Sequence, residues 1–243
     1  MAEVIYICGA KGGAGATTCA VKLALALGEL GERTLVIDGD GECAGGLEAC
    51  GLLGLNVYTL ADAEAGECRV KQAILQHPQS PNMYVLPTLG LKDAAFAEKA
   101  VEECSKLFDV IISDGAGTGA CKKAIVVSDP YSSSLSPAGT RGARLKDGGF
   151  GEVSLILNKV NGGLVFEGAV LPPQEFASVV RLPLLGVIPE DLTLPLNKMR
   201  KSTGRAFDMT AAALLGRSKK TYGTVKPYAG VAGYFKRKLR AHV

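Results

Sequence analysis

A glycine-rich loop near the start of the chain has the residue types that bind phosphate. Residues 9–18 read GAKGGAGATT, and they follow the apolar run Val4–Cys8, which predicts a buried strand. Glycines let backbone N–H groups converge on an anion, and the helix predicted after the loop adds its positive N-terminal end. The loop keeps the spacing Gly-x-x-x-x-Gly-Lys-Ser/Thr, with Ala10 replacing the first glycine and Ala16 the lysine. The sequence therefore predicts a phosphate site whose one lysine is Lys11.

Carboxylates follow two further apolar runs. Asp38 and Asp40 come at the end of the run Arg33–Ile37, and Asp114 ends the run that begins at Phe108. In open α/β sheets, ligands bind beyond the carboxyl ends of the strands, so we expect these carboxylates near the phosphate loop. An aspartate in this position is also a common helix cap, and that alternative stays open for each of them.

The apolar runs also indicate the fold class. They are nearly continuous in Val and Ile, as expected for parallel strands buried on both faces, and they alternate with helical stretches such as 17–30 and 94–108. The chain has 243 residues, 47% of them hydrophobic and 21% charged, which suits one large globular domain. We predict an α/β fold with a doubly wound, mostly parallel sheet and helices on both faces.

The loop resembles that of the deviant Walker A family of P-loop ATPases, the MinD/ParA family. That family carries Lys-Gly-Gly-x-Gly-x-Thr-Thr/Ser, with a signature lysine at the position of Lys11, and a loop without the second lysine resembles its TadZ/CpaE-like branch. Further matches are the two aspartate-ended runs, a strand ending at Asn158, and the segment Leu185–Asp191, all in order over residues 3–216. Four elements in the correct order are more specific than any one of them.

This resemblance implies that ATP or ADP binds with Mg²⁺ at the strand ends. The implied nucleotide-binding residues are Lys11, Gly12, Gly13, Ala14, Gly15, Ala16, Thr17, Thr18, Asn158, Pro189 and Asp191. Thr17, Asp38 and Asp114 are the implied metal residues. Lys11 and Asp40 are the implied catalytic residues, Lys11 by reaching the nucleotide of a partner subunit and Asp40 by holding the attacking water.

Ala16 affects the expected chemistry. The lysine that it replaces normally neutralises phosphate charge and stabilises the transition state of phosphoryl transfer. Backbone N–H groups, Thr17 with Mg²⁺, and Lys11 would have to suffice in this chain. We therefore expect nucleotide binding together with slow ATP hydrolysis.

Two segments depart from a regular alternation of strands and helices. Only eight residues, 115–122, separate Asp114 from the next apolar run, Lys123–Ser128. A parallel crossover usually needs about a dozen residues or more, so either this strand pairs unusually or residues are missing from the sequence. Residues 129–149 are rich in Ser, Gly and Pro, and this composition predicts a mobile segment.

Charge divides the chain into an ATPase-like domain, residues 1–216, and a basic C-terminal tail, residues 217–243. The tail carries eight Lys or Arg and no acidic residue, whereas the whole chain has a net charge of +3. An apolar stripe with basic flanks predicts an amphipathic helix on an anionic membrane surface. Its candidate membrane residues are Val231, Tyr234, Phe235, Lys236, Arg237, Lys238 and Leu239. A solvated tail and a basic arm for DNA or RNA remain alternatives.

Together these features predict a nucleotide-dependent dimerising switch that positions the division site or a polar pilus, secretion or flagellar machine. Its expected partners are a second copy of the chain, an anionic membrane and an unidentified regulatory or cargo protein. The first strand begins at once, no stretch of about 20 apolar residues occurs, and the seven cysteines form no CxxC pair. We therefore expect a cytoplasmic protein, peripheral at the inner face of the membrane. The alternatives are a non-catalytic nucleotide-binding scaffold and a ParA-like DNA segregation ATPase.

Overall fold

A single twisted sheet of eight strands organises the chain, with strand order β3-β4-β2-β5-β1-β6-β7-β8. The computed structural model describes residues 1–39, 45–115, 119, 121–194 and 198–228. All neighbouring strands pair in parallel except the two-residue β3, which is antiparallel to β4. The strands are β1 Glu3–Gly9, β2 Thr34–Asp38, β3 Leu75–Gln76, β4 Met83–Pro87, β5 Val110–Asp114, β6 Lys123–Ser128, β7 Glu152–Val160 and β8 Leu184–Pro189.

Helices cover both faces of the sheet, which confirms the predicted fold class. Successive side chains of a strand point to opposite faces, so Val36 packs into the core with α1 and α8, while Leu35 and Ile37 pack against α3 and α4. A third cluster joins β6 and β7 to α5 and α7. The helices are α1 Ala16–Glu29, α2 Gly45–Cys50, α3 Leu60–Glu64, α4 Ala94–Cys104, α5 Leu135–Asp147, α6 Gly162–Phe166, α7 Pro173–Val180 and α8 Lys201–Leu214.

The short connection between β5 and β6 is compatible with ordinary parallel pairing. The two strands lie on either side of β1, and β6 is parallel to both β1 and β7. Of the two alternatives, unusual pairing of this strand is therefore excluded. Asp114 at the end of β5 lies beside Ile7, and Lys123 at the start of β6 lies beside Ile5. The chain therefore returns by only two residues along the strand direction, about 7 Å, which eight residues can span without a crossover helix.

The segment predicted to be mobile instead contains α5, so that prediction was wrong. Ala138 and Leu145 lie seven residues apart on one helix face and are buried against the sheet. A Cβ added at Gly142 would lie 2.7 Å from a Leu182 methyl carbon, so glycine permits the close approach of α5 to the chain that follows α7. Tertiary packing therefore outweighs the low helix propensity of this glycine-containing segment.

The first part of the basic tail lies against the folded domain. Arg217 forms an ion pair with Glu32 at 2.6 Å, and Thr224 is buried with its carbonyl against Gly162. The candidate membrane residues, between 231 and 239, lie outside the described residues. In the part of the chain that the structure describes, no helix is long and apolar enough to cross a membrane.

Candidate functional site

The glycine-rich loop between β1 and α1 forms an open cradle of backbone N–H groups. Gly13 and Gly15 have φ values of 74° and 89°, the left-handed conformation that glycine adopts most easily. Because α1 begins at Ala16, the N–H groups of its first turn have no acceptor within the helix. A Cβ added at Gly12 or Gly13 would meet no atom within 4 Å. These features fit a phosphate group, which would accept the N–H groups and face the helix N-terminus.

Two consecutive side chains from the end of β7 hold the outer side of this loop. The Asn158 amide donates to the carbonyl of Ala14 at 3.0 Å, and the Lys159 ammonium donates to the carbonyl of Gly13 at 2.7 Å. A Cβ added at Gly15 would lie 2.5 Å from the Asn158 amide nitrogen, so only glycine fits there. Sequence reasoning identified Asn158 but missed Lys159. The signal for Lys159 was a basic residue directly after that asparagine.

Lys11 is held within its own chain. Its ammonium forms an ion pair with Asp129 at 2.9 Å and donates to the Ser133 hydroxyl at 3.4 Å. Burial raises the pKa of Asp129, but hydrogen bonds from Ser134 and Lys11 outweigh it and hold the pKa below its usual value. Asp129, which the sequence analysis did not single out, therefore stays ionised and keeps Lys11 beside the loop at neutral pH.

The two candidate metal carboxylates at strand ends lie side by side. Asp38 and Asp114 are register partners at the ends of β2 and β5, next to the loop after β1. The Asp38 carboxylate also accepts from the N–H groups of Gly46 and Leu47 at 2.8 and 3.4 Å, so it caps α2 as well. Among the described residues, no three His, Cys, Asp or Glu side chains form a metal site. Two carboxylates still suit Mg²⁺, which usually completes its shell with water and substrate phosphates.

Asp40, the candidate for holding the attacking water, lies outside the described residues. Thr17, the third candidate metal residue, lies in the first turn of α1, with its methyl carbon 3.6 Å from a Cβ added at Gly45. Gly45 is the first residue of α2, the helix that Asp38 caps. In the described part of the site, Thr17 and Asp38 therefore both lie next to the start of α2.

At the other end of the site, the loop after β8 is organised by Asp191. The buried Asp191 carboxylate accepts hydrogen bonds from Thr193 N–H and hydroxyl, Arg200 N–H and Thr203 hydroxyl, at 2.6–3.0 Å. All the donors of these hydrogen bonds belong to the loop or to the start of α8, so the Asp191 carboxylate faces its own loop. Pro189, at the end of β8, instead lines a cavity of about 300 Å³ together with Glu190.

Replacing Asp191 with asparagine is expected to destabilise the fold by about 1–3 kcal/mol, because buried donors lose an ionised acceptor. Burial raises the pKa of Asp191, but the hydrogen bonds outweigh it and lower the pKa to about 2. The carboxylate's contribution is therefore fully present above the unfolded pKa of about 3.9 and lost as the pH falls toward 2. Urea unfolding at pH 7 and at pH 3 measures this.

The control for Asp191 is Asp147→Asn, since Asp147 is exposed at the end of α5. Its effect on stability should stay within about 0.5 kcal/mol. Equal stability of Asp191→Asn and the wild type at pH 7 would contradict the organising role of Asp191.

Comparisons with known proteins agree with this geometry. Residues 2–117 match a family model described as an AAA domain. The septum site-determining protein MinD of Synechocystis is 32% identical, covering 79% of this chain and 77% of that protein. A putative MinD from Guillardia theta is 30% identical, covering 89% of this chain and 90% of that protein.

Solved structures lead to the same family. The MinD cell division protein of Aquifex aeolicus superposes with a TM-score of 0.80 at 25% identity, covering 90% of this chain and 99% of that one. MinD from Pyrococcus horikoshii, solved with Mg-ADP, gives 0.76 at 27% identity, covering 90% and 100%. A ParA-family ATPase from Chlorobium tepidum, 17% identical with a TM-score of 0.66 over 88% of this chain and 98% of that one, shares the fold. The chain belongs to the MinD/ParA family of P-loop ATPases.

Proposed function

We propose that this protein is a MinD/ParA-type spatial-positioning switch that binds ATP with Mg²⁺, dimerises, and attaches to a membrane through its basic tail. The observation that carries the proposal is the open phosphate cradle with two strand-end carboxylates beside it. A relative whose structure is a complex with Mg-ADP supports the ligand, and a second one solved as a MinC:MinD complex supports a protein partner.

The residues of the cradle have distinct roles in this proposal. Backbone N–H groups within residues 12–18, apart from that of Ala14, would bind the phosphates, and the Thr17 hydroxyl and nearby carboxylates Asp38 and Asp114 would hold the hydrated Mg²⁺. When bound, Mg²⁺ neutralises phosphate charge. Asn158, whose amide is bonded to the loop, and Pro189, which lines the cavity after β8, are the proposed contacts of the base. Asp191 keeps the base-side loop in shape through its internal hydrogen bonds.

Lys11 links nucleotide binding to dimerisation in this proposal. In the free chain its ammonium is paired with Asp129 at 2.9 Å, so it has to leave that carboxylate before it can reach the nucleotide of a second subunit. An ion pair with a partly exposed lysine is worth only about 0–1 kcal/mol, which nucleotide phosphates can readily outcompete. Lys11 therefore has two states in this proposal. It is paired with Asp129 of its own chain in one, and it binds the nucleotide of a second subunit in the other.

Variants of the basic tail test the proposed membrane attachment. One amphipathic helix binds a membrane marginally, whereas two in a dimer bind well because the second attachment is intramolecular. We expect wild type to co-sediment with anionic vesicles more strongly with ATP than with ADP. Phe235→Glu should abolish this binding, because a carboxylate on the apolar stripe opposes burial and is repelled by anionic lipid. A chain truncated after Tyr228 should behave likewise, since it keeps Thr224 and Tyr228, which contact the domain at Gly162.

Exposed Lys219→Met on the same basic tail is the matched control, and it should bind vesicles nearly as well as wild type. Equal pelleting of wild type, Phe235→Glu and the truncated chain, or none by wild type with ATP, would overturn the membrane proposal. Retention of DNA binding in Phe235→Glu would instead favour a basic arm on nucleic acid, since phosphate contacts do not need that ring.

A non-catalytic scaffold is the second candidate function, and Ala16 favours it. Without a lysine at that position, the loop can bind phosphates through N–H groups while stabilising the transition state poorly. A scaffold would bind nucleotide and dimerise with no ATP turnover, with or without vesicles. A slow switch would show turnover that rises when the membrane is present.

A further inference from the structure

Lys159 occupies an unusual position at the phosphate loop. It follows Asn158 near the end of β7 and has a φ of 57°, in the left-handed region that residues other than glycine seldom adopt. Its ammonium lies 2.7 Å from the carbonyl oxygen of Gly13. This backbone conformation costs energy, so the surrounding contacts must stabilise it. In this conformation the side chain of Lys159 reaches the phosphate loop.

The bond from Lys159 fixes one peptide of the cradle. The carbonyl of that peptide, from Gly13, accepts from Lys159, and its N–H, from Ala14, donates to the carbonyl of Lys11 at 3.3 Å. Asn158 binds the next carbonyl, that of Ala14. In a trans peptide the C=O and N–H groups point in opposite directions, so this second bond aims the Gly15 N–H into the cradle. The end of β7 therefore sets the direction of the loop's backbone groups.

The charge of Lys159 is as important as its hydrogen bond. Within the loop, residue 16 is alanine, and Lys11 is committed to Asp129. Asp38 and Asp114 add negative charge at the same sheet edge. Lys159 forms no salt bridge with any carboxylate that the structure describes, so its positive charge remains available at the loop.

We propose that Lys159 is a positioning residue of the phosphate site and supplies the positive charge that the loop lacks at Ala16. This inference rests on the proposed nucleotide site. The ammonium holds the Gly13 carbonyl outward and places a cation on the outer side of the loop, behind the cradle that would hold the phosphates. A positive charge there would stabilise bound polyphosphate even though α1 contributes no lysine at position 16.

Four proteins test this: wild type, Lys159→Met, Ala16→Lys and the double variant, each titrated with Mg-ADP by calorimetry. Lys159→Met should weaken binding roughly 10-fold in the wild-type background, the usual range for a lost charged hydrogen bond. In the Ala16→Lys background the same substitution should weaken it less than about threefold, because the restored lysine supplies the charge. A purely structural role would give the same loss in both backgrounds.

Further variants separate charge, hydrogen bond and folding. Lys159→Arg keeps the charge and should bind within about threefold of wild type, whereas Lys159→Gln keeps a donor without the charge and should lose roughly 10-fold. The matched control is Lys146→Met, since Lys146 donates to the Arg181 carbonyl at 3.1 Å outside the site. It should leave Mg-ADP affinity unchanged. Thermal unfolding without nucleotide checks that all variants fold.

Wild-type affinity in both Lys159→Met and Lys159→Gln would overturn the inference, as would equal losses in the two backgrounds. If wild type itself binds no Mg-ADP, the proposed function fails before Lys159 is tested. If Lys159→Met does not fold, Lys159→Gln and Lys159→Arg decide the question, because both retain a hydrogen-bond donor for the loop.

Discussion

Replacing Thr17 with alanine is expected to weaken Mg²⁺-dependent binding of ADP and ATP roughly 10- to 100-fold, the usual loss when a metal site is perturbed. Thr17 lies in the first turn of α1, where its hydroxyl can bind Mg²⁺ while the N–H groups of that turn bind phosphate. Calorimetric titration with and without EDTA measures the effect. The loss should vanish in EDTA, because only the metal contribution is removed.

Thr17→Ser is the matched control for this substitution, since it keeps the hydroxyl and loses only the methyl group. It should bind Mg-ADP within about threefold of wild type. A Thr17→Ala protein that binds Mg-ADP as tightly as wild type would contradict the assignment of Thr17 to the metal, even if the loop still binds phosphate.

Restoring the missing lysine with Ala16→Lys should raise ATP turnover, by roughly 100-fold if the new charge meets the transition state as such charges do elsewhere. Ala16 is the first residue of α1 and is only partly buried, so a longer side chain there has room to extend. Steady-state phosphate release at saturating Mg-ATP measures the change. A slow wild type and a faster variant would show that the rest of the site is competent.

Ala16→Met controls for side-chain length, since methionine is similar in length to lysine but uncharged. It should leave turnover at the wild-type rate. Equal rates in wild type and Ala16→Lys, with equal Mg-ATP affinity, would indicate that residue 16 does not face the phosphates and would favour the scaffold.

The sheet and its functional edge could be predicted from sequence because local pattern and global fold agree there. The Val- and Ile-rich strands β2, β5 and β7 are buried on both faces, so each appears in the sequence as a continuous apolar run whose last residue can be identified. Once the strands are parallel, their carboxyl ends must share one edge, and Asp38 and Asp114 meet there in register. Predicting that these two carboxylates share one edge required no knowledge of any side-chain contact.

Elements that depend on tertiary packing were not predictable in the same way. Helix α5 contains Gly139, Gly142 and Pro137, which favour a loop locally, and it forms because Ala138 and Leu145 are buried against the sheet. The short β5–β6 connection likewise depends on the register of β5 and β6 against β1, which composition does not reveal.

The same distinction applies within the site. Asp38 was predicted from its place at a strand end, but its second role as the cap of α2 depends on where Gly46 lies after folding. The partnership of Lys11 with Asp129 joins residues 118 positions apart, and that of Lys159 with Gly13 joins residues 146 apart. Contacts of this kind follow from the strand order, which places β1 beside β6 and β6 beside β7.

The measurement that most directly tests the central claim is the solution mass of the wild-type protein by light scattering, without nucleotide, with Mg-ADP and with Mg-ATP. We expect a monomer in the first two conditions and twice that mass with Mg-ATP, because ADP lacks the terminal phosphate that would draw Lys11 of a second subunit away from Asp129. The same mass in all three conditions, with nucleotide binding confirmed in the same samples, would contradict a nucleotide-dependent dimerising switch.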